Sequence, residues 1–346
     1  MWSCSPSVPN IAYFTNHFKS IFIREKGENE EMTKKPLIIL TGPTAVGKTA
    51  VSIELAKKIN GEIISADSMQ IYKYMDIGSA KIKPDEMEGI PHYLVDVLEP
   101  SEEFNVVKFK EMALQALEEI YSKGKIPIVV GGTGFYIQAL LYDIDFTENT
   151  QDSNYRQELD GILKRHGNAY LHELLKSVDP QAALEIHPNN IKKVIRALEF
   201  YHSSGQKISE HNEKERQRQS PYNFVYFVLN DIRNLLYERI NKRVDLMIEA
   251  GLVEEVTKLR DMGLTRDMVS MQGLGYKEIM AYLEEETILE EAVILLKRDT
   301  RHFAKRQLTW FRREKEVIWI NKEKYDYDED KIISEMLGYV KGAKIL

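Results

Sequence analysis

From Pro36 as far as residue 141, short apolar runs alternate with amphipathic ones. Pro36–Leu40, Glu62–Ala66, Tyr93–Leu98 and Ile126–Val130 are apolar enough to predict strands buried on both faces. Between the last two, Phe109, Met112, Ala113, Ala116, Leu117 and Ile120 recur at helical spacing, and Gly124 stands where a helix C-terminus favours a left-handed residue. Strands that alternate with helices in this way predict a parallel sheet covered on both sides.

From Asn154 to about Ser204 only helical periods remain, with turns at Asp179-Pro180 and His187-Pro188, so 146–215 reads as a helical insertion domain. Its last part, "SEHNEKERQRQSPYN", reads as a mobile polar connection. The strand pattern resumes at Phe224–Leu229, long helices run to Arg313, a short strand follows at Val317–Ile320, and an amphipathic helix starts from Asp328. The expected fold is α/β: a P-loop NTPase-like parallel sheet core, built from 32–145 and 216–346 and flanked by helices, with the helical insertion between its halves. Residues 1–31 show no clean period and no secretion-signal core, and they read as a disordered leader. A cleaved transit peptide fits them less well because of the acids from Glu25 onward.

Composition narrows the class without changing this picture. With 43% hydrophobic and 29% charged residues among 346, the chain is long enough for a full core, and no apolar run reaches the ~18 residues that cross a bilayer. Cys4 is the only cysteine, which excludes an internal disulfide and a cysteine-rich zinc site and fits a reducing cytoplasm. The formal charge of −7 argues against a generic polyanion binder, although a single cationic face remains compatible with it.

"GPTAVGKT" fits G-x-x-x-x-G-K-[ST] between a predicted strand and a predicted helix. Its residues Gly42, Pro43, Thr44, Ala45, Val46, Gly47, Lys48 and Thr49 form a candidate phosphate cradle. The glycines allow a tight turn whose N–H groups converge on phosphate oxygens, Lys48 adds a point charge, and the Thr49 hydroxyl can ligate Mg²⁺. A tight turn with a capped helix would explain the glycines but not the lysine. The motif alone leaves open which phosphate ester is held.

Asp67 closes the second strand, on the sheet edge where open α/β folds bind ligands. The stretch around it, "ADSMQIYKYMDIGSAK", resembles the tRNA dimethylallyltransferases, as do "PHYLVDVLEP", "IPIVVGGTGFYIQALL", "IHPNNIKKVIRALE", "MQGLGYKEI" and "DTRHFAKRQLTWFRR". These motifs occur in family order from about residue 36 to about residue 322. Asn190, Lys192, Lys193, Ser79 and His302-Phe303 depart from the usual pattern. The zinc-finger extension of the eukaryotic relatives needs cysteines that this chain lacks, so the resemblance is to the bacterial form.

The resemblance implies transfer of a dimethylallyl group from dimethylallyl diphosphate to N6 of the adenosine 3′ of the anticodon. The loop would then hold a prenyl diphosphate with Mg²⁺, and ATP need not be a substrate. Asp67 is the implied general base; from the residues alone, an aspartate that caps a turn or holds a Mg²⁺-bound water is equally compatible. Thr44 and Arg243 are implied to stabilise the departing diphosphate, with Arg239 one turn earlier on the same face. A salt-bridged helix face is the plainer reading of two such arginines.

For tRNA, the implied contacts are Asp67, Ser68, Met69 and Gln70 after the second strand, Thr133 in "GGTGFY", Arg156, and Lys192, Lys193, Val194, Ile195 and Arg196 in the insertion. Gln272, Gly273, Gly275, Tyr276 and Lys277 add a second loop. Lys297, Arg301 and Lys305 recur every fourth residue as a cationic stripe. The implied partners are the anticodon stem-loop and the prenyl donor, with no membrane and with the chain acting as a monomer in the cytoplasm. Two other classes compete: a P-loop small-molecule kinase or adenylate prenyltransferase, and a non-catalytic RNA-binding P-loop protein. Transfer to a stem-loop rather than to AMP separates them.

Overall fold

The computed structural model describes residues 34–144 and 153–346; the predicted leader 1–31 lies outside them. Six parallel strands form one sheet in the order β3-β2-β4-β1-β5-β6. They are β1 Lys35–Thr41, β2 Gly61–Ala66, β3 His92–Tyr93, β4 Ile126–Gly131, β5 Tyr222–Asn230 and β6 Val317–Asn321. Within β1, Leu37 and Ile39 join one apolar layer while Ile38 and Leu40 join the other, as the two-residue strand period requires when both faces are covered.

Helices α1 (Lys48–Ile59) and α12 (Glu329–Gly342) cover one face. Helices α2 (Val106–Ser122), α3 (Gly134–Leu141), α9 (Leu252–Asp261) and α10 (Tyr276–Leu283) cover the other. Helix α8 (Arg233–Glu249) packs against α11 (Leu289–Phe311), which runs beneath the loops at the C-terminal edge of the sheet. Among the described residues, no helix is long and apolar enough to cross a membrane.

Two of the expected elements differ in the structure. The strand expected over Tyr93–Leu98 stops after Tyr93, because Leu94 and Asp96 adopt φ of 62° and 61°. The chain turns there, the Val97 and Leu98 N–H groups return to the Ile71 carbonyl, and Leu98 keeps only an isolated bridge to Tyr72. The polar connection expected from Ser209 is instead mostly helix α7, Ile208–Arg216. Buried Asp179 anchors its start by accepting hydrogen bonds from the Ser209 N–H at 3.0 Å and the Ser209 hydroxyl at 2.7 Å.

The insertion helices α4 (Ser153–Val178, broken at Gly167), α5 (Pro180–Glu185) and α6 (Ile191–Ser204) share a core with the start of α7. Leu159, Leu171, Leu175, Val194, Ile195 and Leu198 build that core. Val194 and Ile195 are therefore packing residues, and their side chains are not available to RNA.

Candidate active site

Three strand ends meet at one point of the sheet. Thr41 of β1 and Ala66 of β2 both stand opposite Gly131 of β4, so the loops that follow them, "GPTAVGKT", Asp67 onward and "GTG", emerge side by side. From β1 the chain crosses toward β2, whereas from β4 it passes to β5 on the far side of β1. That reversal leaves a crevice at the carboxyl ends, where open α/β sheets bind ligands.

The "GPTAVGKT" loop links β1 to α1 by a tight turn. Gly47 takes φ 97° before α1, a conformation that a side chain would strain, and no side chain caps the helix N-terminus. Lys48 donates to the carbonyls of Gly42 and Pro43, both at 3.0 Å. Burial lowers its pKa to about 8; Asp67 opposes the shift and Arg243 adds to it. That coupling brings together three residues distant in sequence, Lys48, Asp67 and Arg243.

Arg243 has no hydrogen-bond or ion-pair partner among the described residues, and burial lowers its pKa. Arg239, expected on the same face, is engaged elsewhere: its guanidinium pairs with the buried Asp231 carboxylate and lies over the Tyr327 ring. The two arginines are thus not equivalent: Arg239 is paired, and Arg243 has no partner among the described residues.

Asp67 divides its two oxygens. Oδ1 accepts from the N–H groups of Met69 at 2.8 Å and Gln70 at 3.3 Å, which closes the turn after β2. Oδ2 has no partner among the described residues. The turn-capping and base readings are therefore compatible with each other. Thr133 lies beside this turn, its N–H donating to the Ala66 carbonyl at 3.3 Å, and its side chain does not cap α3.

Sequence reasoning missed the residue that joins these loops. Gln307 of α11 is buried; its Oε1 accepts from the Thr44 N–H at 2.9 Å and its Nε2 donates to the Gly132 carbonyl at 3.0 Å. A Cβ on Gly132 would collide with that amide, which explains the glycine. Gln307 lies inside the family motif "DTRHFAKRQLTWFRR", but within it only the cations suggested a role. Glu255 gave no signal either. Its carboxylate accepts from the N–H groups of Asp76, Ile77 and Gly78 at 2.7–3.0 Å and from the Tyr276 hydroxyl at 2.8 Å.

Tyr276 is thus a buried brace for the 76–79 loop, since its hydroxyl also accepts from the Ser79 N–H, and its side chain does not reach solvent. Gly273 packs against Met69, and the Gly275 N–H donates to Glu278. Gln272 bonds the Arg266 carbonyl, Lys277 lies 3.4 Å from the Glu278 carboxylate, and the Gln70 amide donates to the Ala80 carbonyl.

The cationic stripe is only partly free. Lys297 pairs with Asp245 at 2.5 Å and Arg301 donates to Asn241 at 2.6 Å, both on α8, whereas exposed Lys305 has no partner among the described residues. In the insertion, Arg156 pairs with Glu199 at 3.0 Å, while Lys192, Lys193 and Arg196 are exposed.

The IPP transferase family model matches residues 70–314. The tRNA dimethylallyltransferase of Lachnoclostridium phytofermentans is 62% identical over 312 residues, covering 90% of this chain and 99% of its own. A solved tRNA isopentenylpyrophosphate transferase from Bacillus halodurans is 45% identical, with a TM-score of 0.68 over 90% of this chain and 97% of its own. A eukaryotic dimethylallyltransferase solved acting on tRNA is 33% identical, with a TM-score of 0.72 over 83% of this chain and 74% of its own.

Proposed function

We propose, from the premise that this chain belongs to the IPP transferase family of tRNA-prenylating enzymes, that its phosphate loop holds dimethylallyl diphosphate while Asp67 takes a proton from the attacking adenosine amine. The acceptor is N6 of the adenosine 3′ of the anticodon, and the products are N6-dimethylallyladenosine in tRNA and diphosphate. A small-molecule kinase is not favoured by relatives of this identity and coverage.

The observation that carries the reading is Asp67 itself. One oxygen is fixed by two backbone N–H groups, so the other is held in place without being consumed, at the sheet edge shared with the loop. As the bond from N6 to the allylic carbon forms, the bond from that carbon to the diphosphate oxygen breaks and its electron pair leaves with the diphosphate. The amine proton passes to Asp67 Oδ2. Lys48, Arg243 and the loop N–H groups meet the growing negative charge, and they need little reorganisation to do so because the fold already holds them there.

Thr49 fits a role in holding Mg²⁺. Its hydroxyl has no partner among the described residues, and no cluster of three acidic, histidine or cysteine side chains occurs among them, so Thr49 and substrate oxygens would form the site. Bound there, the ion would neutralise diphosphate charge. The stacked base must be extruded to reach Asp67, with Ser68, Gln70 and Thr133 close to the crevice and the exposed Lys192 and Lys193 of the insertion available to the stem. A tRNA substrate makes the cytoplasm the site of action.

Incubation with dimethylallyl diphosphate, Mg²⁺ and either an anticodon stem-loop or AMP tests this. The stem-loop should gain the mass of one dimethylallyl group and AMP should not. Gain on AMP with an inert stem-loop would reverse the assignment of acceptor.

A further inference from the structure

Lys322 directly follows β6, on the same carboxyl edge as the phosphate loop and two strands away from it. Only 8% of its surface is exposed, and its ammonium has neither an ion pair nor a hydrogen bond among the described residues. A methyl group built on Gly47 would stand 3.1 Å from its Nζ. The ammonium therefore rests against the N-cap of α1, a 12-residue helix whose first N–H groups already present positive potential.

Among the described residues, no carboxylate pairs with that charge. Asp231, which also follows a neighbouring strand, is occupied by Arg239 and the Tyr327 hydroxyl. At the loop itself, Lys48 is coupled to Arg243 and to the Asp67 carboxylate. A nearly buried, unpaired ammonium beside a helix N-terminus is costly, and an anion bound at the loop offsets that cost.

We propose that Lys322 is a further diphosphate-binding residue, which engages the donor from the N-cap side of α1 and holds the diphosphate product after transfer. The inference rests on the reading that the loop binds diphosphate. A lysine whose stem merely fills space while its head reaches toward water is the opposing account.

Calorimetric titration of inorganic pyrophosphate with Mg²⁺ into wild type, Lys322→Met, Lys322→Gln, Lys322→Arg and Lys48→Ala decides between them. Both neutral variants should bind about ten- to a hundredfold more weakly, the loss expected for a charge-assisted contact, and Lys322→Arg should recover most of it. Without ligand, the neutral variants should melt at or above the wild-type temperature, because an uncompensated charge has been removed. The KM for the donor should rise by a similar factor, with a smaller change in kcat. Pyrophosphate affinity within twofold of wild type in either folded neutral variant, alongside its loss in Lys48→Ala, overturns the role of Lys322 and leaves the loop reading intact. A wild type that binds no pyrophosphate removes both.

Discussion

The amide of Gln307 accepts a hydrogen bond from the backbone N–H of Thr44 at 2.9 Å, across 263 residues of sequence. Because the same amide donates to Gly132, α11 fixes the spacing between the phosphate loop and the loop that carries Thr133. Gln307→Leu would leave a part-buried N–H and a buried carbonyl unpaired, the latter at about 1–3 kcal/mol. The expected outcome is a lowered melting temperature and a loss of kcat/KM on the order of a hundredfold, as misplaced substrate groups produce. Gln307→Glu keeps the acceptor for Thr44 but sets a carboxylate against the Gly132 carbonyl, so it should not restore activity. Steady-state kinetics on both variants check this.

Asp67→Asn separates the two tasks of that side chain. The amide oxygen can still accept from Met69 and Gln70, so the turn, the melting temperature and stem-loop affinity should stay near wild type. Loss of the base should lower single-turnover transfer by ~10²–10⁴. Transfer at the wild-type rate would remove Asp67 from the chemistry.

The lowered pKa of Lys48 sets a pH limit. Burial, its principal cause, disfavours the ammonium, so the ligand-free enzyme loses this charge as pH rises through about 8. Donor kcat/KM should fall tenfold per pH unit above that point, and Lys48→Arg should abolish this limb because a guanidinium stays charged. The stability effect runs the other way. Unfolded lysine titrates near 10.4, so between about 8 and 10.4 the unfolded chain binds more protons at this group. The destabilisation it causes below pH 8 is therefore relieved as pH rises through that window. A pH series of donor kinetics and of ligand-free melting checks both signs.

Glu255→Ala should be among the most destabilising single changes outside the sheet. It strips three backbone N–H groups and the Tyr276 hydroxyl of their acceptor, at a cost of roughly 3 kcal/mol or more. Denaturant unfolding measures the loss, and hydrogen exchange should localise it to residues 74–81.

The cations of α11 should not behave alike toward tRNA. Lys305→Gln should reduce the steepness of the log–log salt dependence of stem-loop binding by ~0.7–0.9. Lys297→Gln should leave the slope unchanged, because Asp245 already holds that charge. Equal effects would mean that the Asp245 pair opens when RNA binds.

The strands of the sheet core, the phosphate loop and the helical insertion were legible along the chain because each is a local pattern. Two-sided burial makes β1, β2, β4 and β5 apolar runs, and the loop needs its glycines and lysine at fixed spacing. Asp67 was legible too, since the end of β2 placed it on the ligand-binding edge.

Tertiary structure alone decided which charges are spent and which are free. Arg239 and Arg243 look interchangeable one turn apart, yet Asp231 takes the first and leaves the second beside Lys48. Lys297 and Lys305 share a stripe, yet α8 neutralises only one of them. Gln307, within a family motif, and Glu255 and Lys322, outside any, gave no sign of their roles, because what they face are backbone groups or a turn from remote segments. Such contacts depend on the three-dimensional closure of the chain, and periodicity and spacing register only neighbours along it.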